Sequence, residues 1–105
     1  MDKVLIISKQ SGQTEKFIRE LPDYLEESGA EFTVDFANYP EYEEKARQSQ
    51  WRVIGLSPEL LVEDREVRKH LQEMGVKSKV ASIRGVHFGL RRYDLIFSAL
   101  FAEEV

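Results

Sequence analysis

The sequence predicts an α/β fold, a four-stranded parallel sheet with helices on both faces. Three observations predict it. Short β-branched apolar runs alternate with amphipathic stretches of helical period along the chain. The run Val4-Leu5-Ile6-Ile7 lacks polar alternation, which suits a strand buried on both faces. The 105 residues are 42% hydrophobic, with no repeat, linker or low-complexity stretch, which is enough for one core and too little for two. Residues 1–105 therefore read as a single domain.

Val4-Leu5-Ile6-Ile7 is the first strand, and it ends in the polar loop Ser8–Gln13. Phe17, Ile18, Leu21, Tyr24 and Leu25 then fall on one face of a helix. Pro22 lies within that helix and predicts a kink. Ser28-Gly29 stops it. Glu31–Phe36 alternates as a second strand. Pro40–Gln48 is polar and helix-prone, with Tyr42 and Ala46 as a thin apolar edge. Arg52–Leu56 is a third buried strand, preceded by Trp51 as a cap on the core and ended by Ser57-Pro58. Val67, Leu71 and Met74 keep helical spacing up to Gly75. Lys79–Ile83 is the fourth strand, and Arg84–Leu90, with Gly85 and Gly89, reads as a loop. The last helix carries Tyr93, Leu95, Ile96, Phe97, Ala99, Leu100 and Phe101. It is apolar around much of its circumference, which suits deep packing on a small sheet and leaves room for a dimer contact.

Right-handed crossovers in this order give a sheet of strand order 2-1-3-4, the compact version of the flavodoxin-like doubly wound fold. Its ligand site lies beyond the carboxyl ends of the strands. Three loops meet there, Ser8–Gln13, Ser57–Glu63 and Arg84–Leu90.

Composition excludes several functions. The formal net charge is −4, too acidic for a general nucleic-acid binder. Without cysteine there is no disulfide framework, thiolate metal site or cysteine nucleophile. No apolar run approaches the length of a membrane span, and the N-terminal run is too short for a signal peptide, so a cytoplasmic domain is expected. His70 and His87 are too far apart for a metal motif.

The first loop leads straight into a helix, so its amides are placed to hold a phosphate or other anion. Lys9 adds charge, Ser8, Ser11 and Thr14 add hydroxyls, Gln10 and Gln13 add amides, and Gly12 permits close approach. The plain alternative is an ordinary capped turn. The loop is neither a Walker loop nor a dinucleotide fingerprint. Ser57 in the second loop is placed to cap the next turn. In the third, Arg84, His87, Arg91 and Arg92 fall within nine residues and suit an anion or an acidic partner. The alternative there is a solvated basic turn balancing Glu103 and Glu104.

The same loops carry a family resemblance over nearly the whole chain. The sequence resembles the lactose/cellobiose-type enzyme IIB components of the bacterial sugar phosphotransferase system. In that family a Lys-plus-apolar strand ends at a phosphorylated cysteine, followed by a small-residue loop and a Ser/Thr at the helix start. Here Lys3-Val4-Leu5-Ile6-Ile7 leads to Ser8, with Thr14 at the helix start. The family's Leu-(Gly/Ser/Ala)-Pro-Gln pattern is matched by Leu56-Ser57-Pro58-Glu59, and its aromatic-Gly stretch and Asp by Phe88-Gly89 and Asp94. The resemblance implies a phosphoryl carrier between IIA and IIC proteins if Ser8 replaces a native cysteine, with residue 8 as acceptor and the amides of Lys9 to Thr14 on the phosphoryl oxygens. With Ser8 native it implies a non-catalytic relative that binds an anion or a partner, because a serine without a base is a poor acceptor. The bulky polar Lys9-Gln10-Ser11 and the acidic Glu59 depart from the family pattern, and Glu59 opposes a phosphoryl group.

No cofactor is expected under this reading. Ser8–Glu15 also resembles the phosphate loop of flavodoxins, so a small FMN-binding protein is the alternative, beside a regulatory interaction domain. A fifth strand and aromatic loops to sandwich a flavin are missing from the pattern. A response-regulator receiver is disfavoured, since its acidic positions hold Ser8 and Leu56-Ser57.

Overall fold

The computed structural model of the protein describes residues 1–102. Four strands, β1 (Asp2–Ser8), β2 (Phe32–Asn38), β3 (Val53–Leu56) and β4 (Lys79–Ser82), pair in parallel in the order β2-β1-β3-β4, as expected. The helices are α1 (Gly12–Glu27), α2 (Glu43–Arg47), α3 (Asp64–Glu73), α4 (Gly85–Gly89) and α5 (Tyr93–Phe101), with a 3₁₀ turn at Pro58–Leu60. No helix among the described residues is long and apolar enough to cross a membrane.

β1 is central, with Val4 paired to Val34 on one side and Val53 on the other. Its apolar run serves both faces. Val4 and Ile6 enter one cluster with Phe17, Leu21, Phe88, Tyr93, Ile96, Phe97 and Leu100. Leu5 and Ile7 enter the other, with Tyr42, Trp51, Leu60, Val67 and Leu71. Helices α1, α4 and α5 thus cover one face, and α2 and α3 the other. Chain order explains the split. The step from β1 to β2 runs one way across the sheet, and the steps to β3 and β4 run the opposite way. Right-handed crossovers then put the connecting helices on opposite faces.

Both longer crossover helices end in matching Schellman caps. After α1, Gly29 N–H donates to Glu26 O and Ala30 N–H to Leu25 O, with Gly29 at φ 63°. After α3, Gly75 N–H donates to Gln72 O and Val76 N–H to Leu71 O, with Gly75 at φ 83°. Gly55 in β3 matters for another reason. A Cβ there meets Ile83 Cδ1 at 3.2 Å and both Leu100 Cδ atoms at 3.4 Å, so its missing side chain lets α5 approach the sheet.

Three local expectations need correction. Ile18 is exposed, because the buried stripe of α1 runs through Thr14, Phe17 and Leu21. Pro22 lies inside α1, which continues five residues past it to Glu27, and Ile18, whose carbonyl loses a donor to the proline, is on the exposed side. Arg84–Leu90 is not a plain loop, since Gly85–Gly89 forms α4. The helix expected over Pro40–Gln48 is only Glu43–Arg47, held down by buried Tyr42 and Ala46. Trp51 is buried as expected, and its Nε1 donates to Ala46 O at 3.2 Å. On α5, Tyr93, Ile96, Phe97 and Leu100 are spent on the core, and Leu95 is exposed. Glu103 and Glu104, the expected counter-charges of the basic turn, lie outside the described residues.

Candidate functional site

β1 ends at Ser8 between the exits of its two neighbours. Tyr39 N–H donates to Ser8 O at 2.8 Å, and Ser57 N–H donates to Ile7 O at 3.0 Å. The first loop is therefore gripped on both sides before it turns into α1. Ser11 is the N-cap, with extended backbone, and its Oγ accepts from Thr14 N–H at 3.2 Å. Gly12 and Gln13 occupy the first exposed turn, and Gln10 is exposed before it.

Thr14 decides the chemistry of this edge. It is buried, and its hydroxyl donates to Glu59 Oε1 at 2.6 Å. The same carboxylate oxygen accepts from Lys9 N–H at 3.2 Å and from the buried Ser57 hydroxyl at 3.1 Å. Three donors, from the first loop, the first turn of α1 and the second loop, thus converge on one oxygen of the chain's own carboxylate. Ser57 does not cap the 3₁₀ turn with its side chain, because that hydroxyl is turned to Glu59.

The Lys9 ammonium is drawn away to Glu63. Its Nζ lies 2.7 Å from Glu63 Oε1 and 5.8 Å from the centre of the Tyr39 ring. The hydrogen bond from Lys9 holds the Glu63 carboxyl below the usual carboxylate range, against a smaller opposing push from burial. Glu63 Oε2 is buried with no hydrogen-bond partner among the described residues.

Ser8 is 2% exposed and, by strand alternation, shares the face of Val4 and Ile6. The hydrogen bonds of this edge run among Lys9, Ser11, Thr14, Ser57, Glu59 and Glu63, and none of them is made to Ser8 Oγ. No general base is therefore hydrogen-bonded to that hydroxyl among the described residues.

The third segment lies beside the other two. A Cβ on Gly85 sits 3.7 Å from Pro58 Cβ, and one on Gly89 sits 3.6 Å from Gln13 Nε2. Phe88 anchors α4 by stacking on Phe17 with ring centres 4.7 Å apart. Its basic residues do not converge on one point. Arg91 bonds Glu20 of α1 at 2.6 Å, and Arg92 faces Asp94 at 3.6 Å. Arg84 is exposed as the residue before α4, and His87 is half-buried. His70, on α3, is 3.3 Å from Glu43 and edge-on to Tyr42, remote from this edge. Among the described residues no cluster of His, Cys, Asp and Glu is arranged to hold a metal ion.

Sequence reasoning missed Glu63 and the apolar rim. Leu61 and Val62, between the 3₁₀ turn and α3, are 82% and 89% exposed, and Val86 and Leu90 of the α4 segment are 57% and 65% exposed. The readable signal is Leu60-Leu61-Val62, three apolar residues in a row where only Leu60 fits the core.

The fold and this edge define a doubly wound α/β domain with a gripped, hydroxyl-rich first loop at its carboxyl end. The solved structure of the lactose-specific IIB domain of the phosphoenolpyruvate:carbohydrate phosphotransferase system from Streptococcus pneumoniae shares that fold, with a TM-score of 0.66 over 98% of each chain and 16% sequence identity. No family model matches the chain, and no curated protein matches it.

Proposed function

We propose that this chain is a IIB-like domain that docks a partner protein at the carboxyl edge of its sheet and does not carry a phosphoryl group on Ser8. The observation that carries the reading is the apolar rim. Leu61, Val62, Val86 and Leu90 stand exposed on the segments that flank the first loop. Isolated surface leucines need no explanation, but four large aliphatic residues on the rim of one sheet edge suit a protein interface. The first loop, with the Thr14 and Ser57 hydroxyls, is the anion-holding element of that edge.

Ser8 argues against the carrier role. A phosphoryl acceptor needs a nucleophile, and a thiolate forms near neutral pH where a serine alkoxide does not. Ser8 Oγ has no hydrogen-bonded base among the described residues, so it is a poor acceptor. IIA-like and IIC-like proteins are the proposed partners, through the likeness in fold, and the cytoplasm is the proposed location.

The test is a nuclear magnetic resonance titration of the labelled chain with a panel of IIA proteins. Binding is expected to shift the amides of Leu61, Val62, Val86 and Leu90. Shifts confined to the opposite end, around the groove lined by Arg47, Trp51, Arg52 and Lys77, would move the interface there and contradict the reading.

A further inference from the structure

We propose that Glu59 is a built-in competitor for the anion cradle, and that it keeps the cradle closed to external phosphate. This rests on the reading of the first loop as an anion-holding element and states how that element is regulated.

Lys9 N–H of the first loop, the Thr14 hydroxyl of the first turn of α1 and the Ser57 hydroxyl of the second loop meet at Glu59 Oε1, at 3.2, 2.6 and 3.1 Å. Thr14 and Ser57 are 3% and 2% exposed, so their hydroxyls are fixed within the fold and not waving in solvent. A backbone amide and two hydroxyls aimed at one point are the donor set that holds one oxygen of a phosphate. That oxygen position is taken by a carboxylate oxygen.

The proton order closes the arrangement. Thr14 gives its hydroxyl proton to Glu59, and the Ser11 hydroxyl lies 3.4 Å from the Thr14 oxygen, placed to donate to it. Ser11 Oγ in turn accepts from Thr14 N–H. The Lys9 amide and the Thr14 and Ser57 hydroxyls are thus already committed to Glu59.

Charge adds to occupancy. A second anion in the cradle would sit against the Glu59 carboxylate, and like charges a few ångströms apart repel strongly in a partly buried site. The lysine that could offset this is engaged elsewhere, since Lys9 Nζ is paired with Glu63. Glu59 reaches the cradle because Pro58 and Ser57 fold the second loop into a 3₁₀ turn, where Leu60 N–H donates to Ser57 O at 3.0 Å. Leu60 is fully buried and pins that turn. The competitor is therefore held by the core and not by a free loop.

The experiment follows the Lys9 and Thr14 amides during titration with inorganic phosphate at fixed ionic strength. The natural chain, Glu59→Ala and Glu59→Gln are compared. The natural chain is expected to show no saturable shift. Glu59→Ala, which empties the cradle, is expected to bind at least about tenfold more tightly than the natural chain. Glu59→Gln keeps a side chain of the same shape without the charge, and its affinity should fall between the two. A dispersed spectrum of each variant confirms its fold. Equal phosphate affinity in the natural chain and Glu59→Ala would overturn the competitor role and leave the cradle standing. No binding by folded Glu59→Ala and Glu59→Gln would overturn both the cradle and the competitor.

Discussion

Tyr93 ties α5 to α1, and removing its hydroxyl gives a pH-dependent prediction. The side chain is 7% exposed, and its hydroxyl donates to Phe17 O at 2.8 Å. Its ring packs against Phe17 and Tyr24, with ring centres 4.9 and 5.3 Å away. Tyr93→Phe keeps that packing and deletes one buried hydrogen bond, so it should cost about 1 kcal/mol at pH 8. Burial pushes the Tyr93 phenol up from 10.0 to about 12, with the Glu20 charge adding to it and Arg91 opposing. Below pH 10 the phenol is protonated in both states and the natural chain has its full advantage. Above it the unfolded chain ionises first, binds fewer protons than the folded chain, and is favoured as pH rises. That difference costs the natural chain about 1.4 kcal/mol at pH 11 and about 2.7 kcal/mol beyond the folded value. The Tyr93→Phe variant has no such proton to lose. The natural chain's lead should therefore vanish and invert near pH 11. Denaturant unfolding followed by fluorescence of Trp51, the single tryptophan, measures it at both pH values. Other titrating groups are common to both chains and cancel in the difference. An unchanged lead at pH 11 would refute the assignment of this phenol to a buried, hydrogen-bonded state.

Three further outcomes are expected. Arg68 seals the open edge of β4, donating to Val80 O at 2.8 Å and Ser82 Oγ at 2.7 Å while bonding Asp64 at 2.6 Å. Arg68→Ala should cost about 1–2 kcal/mol at pH 7 in denaturant unfolding. Burial raises the Asp64 carboxyl, but hydrogen bonds from Ser82 and Arg68 outweigh it and hold it below its ordinary value of 3.8. The stabilisation is thus complete above that value and lost as pH falls through the lower folded one, so the Arg68→Ala deficit should shrink in acid. Replacing Leu61 and Val62 by Ser should change stability by less than about 0.5 kcal/mol each, since both are exposed, and weaken partner binding at least about tenfold. The purified chain should be colourless and leave FMN fluorescence unchanged on titration; quenching at equimolar protein would favour the flavin alternative.

The strands were the most legible part of this chain, for a physical reason. Val4–Ile7 is wholly buried between two helical layers, so its apolar run carries no competing signal. The helix ends at Gly29 and Gly75 were equally readable, because both glycines take the left-handed backbone that Schellman caps require. α4 was hidden by Gly85 and Gly89, whose low helix propensity is overridden by Phe88 stacking on Phe17, a contact between residues far apart in sequence. Arg91 hid the following turn, since it adopts φ 52° where a glycine would have marked the bend. At the candidate site, the hydroxyls of Ser11 and Thr14 and the capping role of Ser11 could be read locally. That Glu59 closes onto Lys9 and Thr14 could not, because those partners are 50 and 45 residues away and meet only through the β1–β3 pairing. The sequence did flag Glu59 as opposed to a phosphoryl group, and the geometry shows where its charge sits.

Residue 8 offers the most direct test of a IIB-like domain that docks without carrying a phosphoryl group. Intact-mass measurement after incubation with phosphoenolpyruvate, the general phosphotransferase proteins and a panel of IIA proteins addresses it, with the natural chain and Ser8→Cys run side by side. The natural chain should gain no phosphoryl group with any IIA. Ser8→Cys should gain one only when Glu59 is also replaced by Gln. A phosphoryl group on Ser8 of the natural chain would contradict the proposed function directly.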